Sequence, residues 1–147
     1  MAVTPQEMTA LYRRYLTSVV LFHQRAASIA GIGMTDYQAS NLLALQRSMS
    51  AGELGAALGL TSGATTRLID RMVDAGYARR VYDTEDRRRV IVEHTGKMES
   101  ALQEQLDRVR GPIGETIASL DPHQLEGLVT YLQTAATAYE SAGREAV

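Results

Sequence analysis

A chain of 147 residues with 45% hydrophobic content is the size of one domain with a real core, and its formal charge of −2 excludes a surface that is basic all over. The absence of cysteine excludes disulfides, thiolate nucleophiles, zinc–thiolate sites and redox sensing through a thiol. The start MAVTPQEM lacks a basic stretch followed by an apolar one, and the run Val19 to Phe22 is far too short to span a bilayer, so a cytoplasmic protein is expected.

The first element is a helix predicted from Pro5 to about Ala30, ending at Gly31. In TPQE, Thr4 is placed to cap it, Pro5 suits the first helical position, and Glu7 can return a hydrogen bond to the cap. Its apolar positions from Met8 to Ala26 keep to one broad stripe, and at about 1.5 Å per residue it is roughly 40 Å long. A globule of this size is hardly that wide, so part of the helix needs a partner chain. TDYQ at 35–38, SAGE at 50–53 and DPHQ at 121–124 repeat the capping arrangement and predict three more helix starts.

Residues 50–75 read as two helices joined by a tight turn. Ser50 caps the first, Leu54 and Leu58 give it an inner face, and Gly59 supplies the positive φ of a sharp turn. The second begins near Thr61 or Ser62 and ends before Gly76. With Thr65, Leu68, Ile69 and Met72 facing inward, the 100° step turns Gly63, Thr66, Arg67 and Asp70 outward, flanked by Ser62 and Arg71. Small and hydroxyl side chains around an arginine suit a helix laid in a major groove, where the backbone comes close and Arg67 forks onto a guanine or a phosphate. An ordinary solvated amphipathic helix has the same periodicity, so the next segment decides.

That segment is two strand-like runs, YARRVY at 77–82 and RVIVEH at 89–94, around the polar tip DTEDRR. Seven arginines lie between Arg67 and Arg89 against five acids, while the rest of the chain is net acidic. Fourteen of the fifteen cations are arginine, Lys97 being the exception. A charged hairpin after a recognition-type helix makes a wing, and Arg87, Arg88 and Arg89 at its tip suit the narrow minor groove of A·T tracts. Asp83, Glu85 and Asp86 then hold the arginines in a fixed pose, and Asp70 and Asp86 are the wing-positioning candidates. Beyond the wing, Met98 to Leu120 and Leu125 to Tyr139 carry apolar residues at spacings of three or four, with GPIG at 111–114 predicting a kink or two shorter helices. Terminal helical arms around a small middle suit a dimer better than an intramolecular bundle.

GLTSGATTRLIDRMVDAGYARR and DTEDRRRVIVEHT together resemble the multiple antibiotic resistance regulator (MarR) family of winged-helix transcription factors, whose wing carries Asp, any residue, Arg, then Val, any residue, Leu-Thr. The resemblance covers nearly the whole chain. It implies a mainly α fold with a small β-wing: a winged helix-turn-helix at 35–94 flanked by dimerisation helices at 5–30 and 96–143, all one domain over 1–147. It implies a homodimer on a palindromic double-stranded operator, acting as a repressor that a small phenolic or anionic aromatic effector releases, with no membrane association. Asp86 and Arg88 match the wing signature, with Arg88 entering the minor groove. The DNA-binding set is then Thr61, Ser62, Gly63, Thr66, Arg67, Arg71, Arg80, Arg87, Arg88 and Arg89. A ligand cleft would be walled by Tyr12, Tyr15, His23 and Tyr37, although each of these taken singly can equally fill core.

Two residues depart from the family pattern, His94 in place of leucine and Met98 in place of glycine. A hydrogen-bonded structural role for His94 is favoured over a pH- or metal-dependent one. No enzyme is expected, because His23, His94 and His123 are far apart and no HEXXH pair, phosphate loop or nucleophile elbow is present. No cofactor and no metal is called for; metal sensing would have to lean on carboxylates such as Glu99 and Glu104. A winged-helix module that binds protein instead of DNA is the competing reading.

Overall fold

The computed structural model describes residues 3–83, 86 and 89–145. In chain order it runs α1 (Pro5–Ile29), α2 (Met34–Gln46), β1 (Ser48–Ser50), α3 (Ala51–Leu58), α4 (Ser62–Asp74), β2 (Ala78–Tyr82), β3 (Val90–His94), α5 (Ser100–Ala118) and α6 (Pro122–Glu145). The chain divides into two compact units, residues 1–103 and 104–147.

Three of the four expected caps are present. Thr4 and Glu7 exchange side-chain and backbone hydrogen bonds at the start of α1, Ser50 and Glu53 do so for α3, and Asp121 and Gln124 for α6. The fourth is corrected. α2 begins one residue before Thr35, with Gly33 at the cap position and no side-chain cap bond. Gly31, at φ 69°, closes α1 where expected.

In the first unit, β1, β3 and β2 form an antiparallel sheet in that order, with Met49 opposite Val92 and Arg80 opposite Val92 on the other side. The β2–β3 hairpin is the predicted wing. β1 was not expected: three residues are too few for a period-two pattern, and Ser50 had already been read as a helix cap. Leu43 of α2, Leu54 of α3, Leu68, Ile69 and Met72 of α4 and Val92 of β3 are the largest fully buried side chains. At about 1.5–3 kcal/mol for each such burial, they hold the helix-turn-helix against the sheet. α1 leaves Met8, Leu11, Tyr15, Val20 and Leu21 exposed.

The second unit is built from the rest of α5 and from α6, and it exposes Val109, Ile113, Ile117, Leu125, Val129, Leu132 and Tyr139. α5 is one helix from Ser100 to Ala118 with Pro112 inside it, so the alternative of two shorter helices is not realised. Proline removes one donor from the ladder, and the helix carries on across the gap. Among the described residues, no helix is long and apolar enough to cross a membrane.

Candidate nucleic-acid interface

The turn between α3 and α4 is set by two glycines and a threonine. Gly59 takes the left-handed conformation at φ 64°. Gly55 is buried against α4 so closely that an added Cβ would lie 2.4 Å from Thr65 Oγ1, which explains a glycine inside a short helix. Thr61 caps α4: its Oγ1 accepts from the Ala64 N–H at 3.3 Å, while its carbonyl accepts from Thr65 Oγ1 at 2.9 Å.

The faces of α4 fall as the periodicity predicted. Thr65, Leu68, Ile69 and Met72 are buried, and Thr61, Ser62, Gly63, Thr66, Arg67 and Asp70 are exposed. The Thr66 hydroxyl donates to the Ser62 carbonyl at 3.0 Å, so its methyl and lone pairs are what it presents outward. The Arg67 guanidinium passes 3.8 Å from where a Gly63 Cβ would stand.

Three further candidate arginines among the described residues, Arg71, Arg80 and Arg89, are held by carboxylates. Arg71 donates from Nε and Nη2 to the two oxygens of Asp36, at 2.9 and 2.6 Å, and Asp36 is buried in the first turn of α2. Arg80, on β2, pairs through Nη2 with Asp70, placing a fork from the wing against the recognition helix. Arg89 closes the wing by its backbone, donating to the Asp86 carbonyl at 2.8 Å and accepting from the Asp83 N–H at 3.2 Å. Its side chain reaches Glu53 of α3 at 3.4 Å and Asp83 at 4.0 Å. The Asp86 N–H donates to Asp83 Oδ1 at 3.3 Å, so in this bond it is the Asp83 carboxylate that shapes the turn and Asp86 takes part through its backbone. Arg87 and Arg88, with Thr84 and Glu85, lie outside the described residues.

Two carboxylates of this network escaped the sequence reading. Asp36 and Glu53 lie 35 and 36 residues from their arginine partners, and Glu53 was visible only as a capping residue. Its carboxyl is held below the ordinary glutamate range first by the Ser50 hydroxyl, then by the Ser50 backbone, with Arg89 adding to the effect.

His94 bridges the wing to α2. Its Nε2 is 3.0 Å from Ser40 Oγ and its Nδ1 accepts from the Gly96 N–H at 2.9 Å, the structural arrangement that was favoured. Burial lowers its pKa below 6.5.

Of the four proposed cleft residues, the fold brings two together. His23 Nδ1 lies 3.2 Å from the hydroxyl of buried Tyr37, with ring centroids 5.7 Å apart, and burial lowers the His23 pKa. Tyr12 is half-buried about 16 Å farther along the helix from His23, and Tyr15 is exposed. A separate pocket of about 360 Å³ lies over the α1–α2 turn, lined by residues 31–36 together with Arg71 and Ala75, and none of the four reaches it.

Residues 41–90 match the family model described as the MarR family, a stretch from α2 to the first residue of β3. An uncharacterized HTH-type transcriptional regulator of Bacillus subtilis (strain 168), YcgE, is 45% identical over 82 residues. That alignment takes in 56% of this chain and 53% of YcgE, so the chain spans about half the length of this relative. Among solved structures, the transcriptional regulator BldR from Sulfolobus solfataricus is 27% identical, with 88% of this chain and 94% of that one covered and a TM-score of 0.51. NadR in complex with 4-hydroxyphenylacetate shares the fold at a TM-score of 0.61 and 19% identity, over 92% and 96% of the two chains. With the recognition helix, the wing and the sheet order in place, residues 41–90 form a winged helix-turn-helix of the kind the MarR family model describes, and the chain is similar to HTH-type transcriptional regulators.

Proposed function

We propose that the protein binds a palindromic operator as a homodimer in the cytoplasm and represses transcription until a small anionic aromatic compound releases it. The observation that carries this reading is the outward face of α4, where Ser62, Gly63, Thr66 and Arg67 stand exposed beside a hairpin rich in arginine. A groove-bound helix needs small residues where backbone meets DNA and a forked donor where bases are read. Arg67 serves as that fork, and Arg88 enters the minor groove beside it.

Dimerisation is supported by the apolar residues that α1 and α6 leave in water, which a second copy would cover. Release by an aromatic anion is supported by the phenolic ligand of NadR, a structural neighbour, and by the His23–Tyr37 pair, which sets an imidazole beside a phenol hydroxyl. Control requires that the ligand prefer the conformation that does not fit the operator.

The test is cleavage footprinting together with fluorescence anisotropy on the DNA upstream of the protein's own gene. Binding should protect an inverted repeat with half-sites about 10 bp apart and should weaken steeply with salt. Salicylate at millimolar concentration should lower the affinity, while peroxide should act only weakly because the chain has no thiol. Salt-independent binding to one unsymmetrical half-site would rule out the operator reading; strong reversible release by peroxide alone would rule out the ligand reading.

A further inference from the structure

We infer that Lys97 is a positioning residue for DNA recognition: it anchors the C-terminal end of the recognition helix and thereby sets where its outward face lies. The inference rests on the reading of α4 as the helix that meets DNA.

α4 ends at Asp74, and the three carbonyls that follow have no partner within the helix. All three are taken up by one short segment after β3. Lys97 Nζ donates to the Ala75 carbonyl at 2.9 Å, Thr95 Oγ1 to the Gly76 carbonyl at 2.7 Å, and the Thr95 N–H to the Tyr77 carbonyl at 3.1 Å. The Lys97 N–H in turn donates to Thr95 Oγ1 at 3.2 Å, so the donors hold one another.

The cation is well placed for this task. A helix C-terminus carries partial negative charge, and the ammonium sits on it. The same ammonium lies 4.9 Å over the Tyr77 ring and 3.1 Å from Glu99. Tyr77 is buried and its hydroxyl donates to the carbonyl of Ala30, which ends α1. Lys97 therefore ties the end of α4 to a ring that is itself tied to the end of α1.

The geometry gives this anchor leverage. A helix of 13 residues is about 20 Å long, so a tilt of about 5° at its C-terminus moves its N-terminal turn by nearly 2 Å. That turn carries Ser62 and Gly63, and the next carries Thr66 and Arg67, which move by somewhat less. Base contacts are lost at such a displacement, whereas contacts to phosphate, which only position the protein, tolerate it. Lys97 thus acts on discrimination, without itself touching DNA.

Lys97→Met keeps the aliphatic stem and deletes the ammonium; Lys97→Arg restores a cation. Each is measured, well below its thermal midpoint, on a duplex that the parent protein selects from a random-sequence pool and on a shuffled duplex of the same composition. Lys97→Met is expected to lose about fivefold on the selected duplex and to stay within about twofold on the shuffled one, with an unchanged salt slope, and Lys97→Arg should recover most of the loss. Equal affinity of Lys97→Met and parent for the selected duplex overturns the inference. So does an equal loss on both duplexes with a salt slope smaller by about one, which would make Lys97 a phosphate contact. Failure of Lys97→Arg to recover any binding also overturns it. A parent that selects no duplex refutes the DNA-binding reading itself; amide exchange at residues 71–77 then reads the anchor directly, and no acceleration in Lys97→Met overturns it.

Discussion

Arg71 and Asp36 form a two-pronged bridge in which the carboxylate is buried and the guanidinium is half in water, joining the recognition helix to the first turn of α2. The two ends of such a bridge are not equivalent. Arg71→Ala leaves a buried carboxylate without its cation and is expected to lower stability, whereas Arg71→Lys recovers little because a point charge cannot occupy both oxygens. Pairing Arg71→Ala with Asp36→Ala should cost less than the sum of the single changes. Urea denaturation of the four proteins checks this, and strict additivity would contradict it.

Arg67 and Arg80 are predicted to differ in kind. Arg67→Ala should cost about 1–3 kcal/mol of operator affinity and relax preference at the bases it meets. Asp70→Ala, by contrast, frees Arg80 and removes a negative charge from the DNA-facing surface, so affinity for random duplex should rise while discrimination falls. Titrations of both variants on selected and shuffled DNA distinguish the two. If Asp70→Ala weakens binding to random duplex, the pair does not act as described.

Gly55 is expected to be intolerant of a single methyl. The added Cβ would meet Thr65 Oγ1 at 2.4 Å and Thr65 Cγ2 at 3.3 Å, and the hydroxyl is held in place by its bond to the Thr61 carbonyl. Gly55→Ala should therefore cost about 1–3 kcal/mol as overpacking between α3 and α4. Adding Thr65→Ala, which removes both obstructing atoms, should return a large part of that stability. A double variant no more stable than Gly55→Ala would show that the crowding has another source.

The histidines predict acid sensitivity of a definite sign. Because the Gly96 N–H donates to His94 Nδ1, the ring proton sits on Nε2 and faces Ser40; a second proton would set two donors against each other. Burial lowers the folded pKa below 6.5, so the unfolded chain takes up protons first as the pH falls. The stability that neutral His94 contributes is complete above 6.5 and is lost as the pH drops through the lowered folded value. His23 is depressed for the same reason and adds a loss of the same sign. His94→Gln should flatten part of the decline in urea midpoint between about pH 8 and pH 5. An unchanged profile would mean that burial of the His94 ring does not set the acid sensitivity.

What the sequence revealed and what it hid divide along sequence separation. The helix-turn-helix was legible because each signal is local: Ser50 and Glu53 sit three residues apart, Gly59 marks its own turn, and the inward positions of α4 recur with the helical period. The wing was legible from two β-rich runs around a charged tip. The partners of Arg71 and Arg89 were not, because burial of Asp36 and the approach of Glu53 to the wing exist only after packing. The start of α2 was misplaced by two residues because TDYQ imitates a capping box, while the chain turns at Gly33. That Tyr37 packs against His23, and so lies far along α1 from Tyr12, was likewise hidden, because the meeting point of α1 and α2 is set only by packing.

Glu53 binds the Ser50 backbone and hydroxyl at the start of α3 with one carboxylate oxygen and reaches Arg89 of the wing with the other. One side chain therefore serves both the beginning of a helix and the posture of a hairpin. For a lineage whose target sequence drifts, this is a constraint on which substitutions come first. A change at position 53 that suits a new wing must still start α3, so the wing can be retuned freely at its tip but at its root only by paired replacement. Among descendants of this sequence, positions 50, 53 and 89 should change together or not at all.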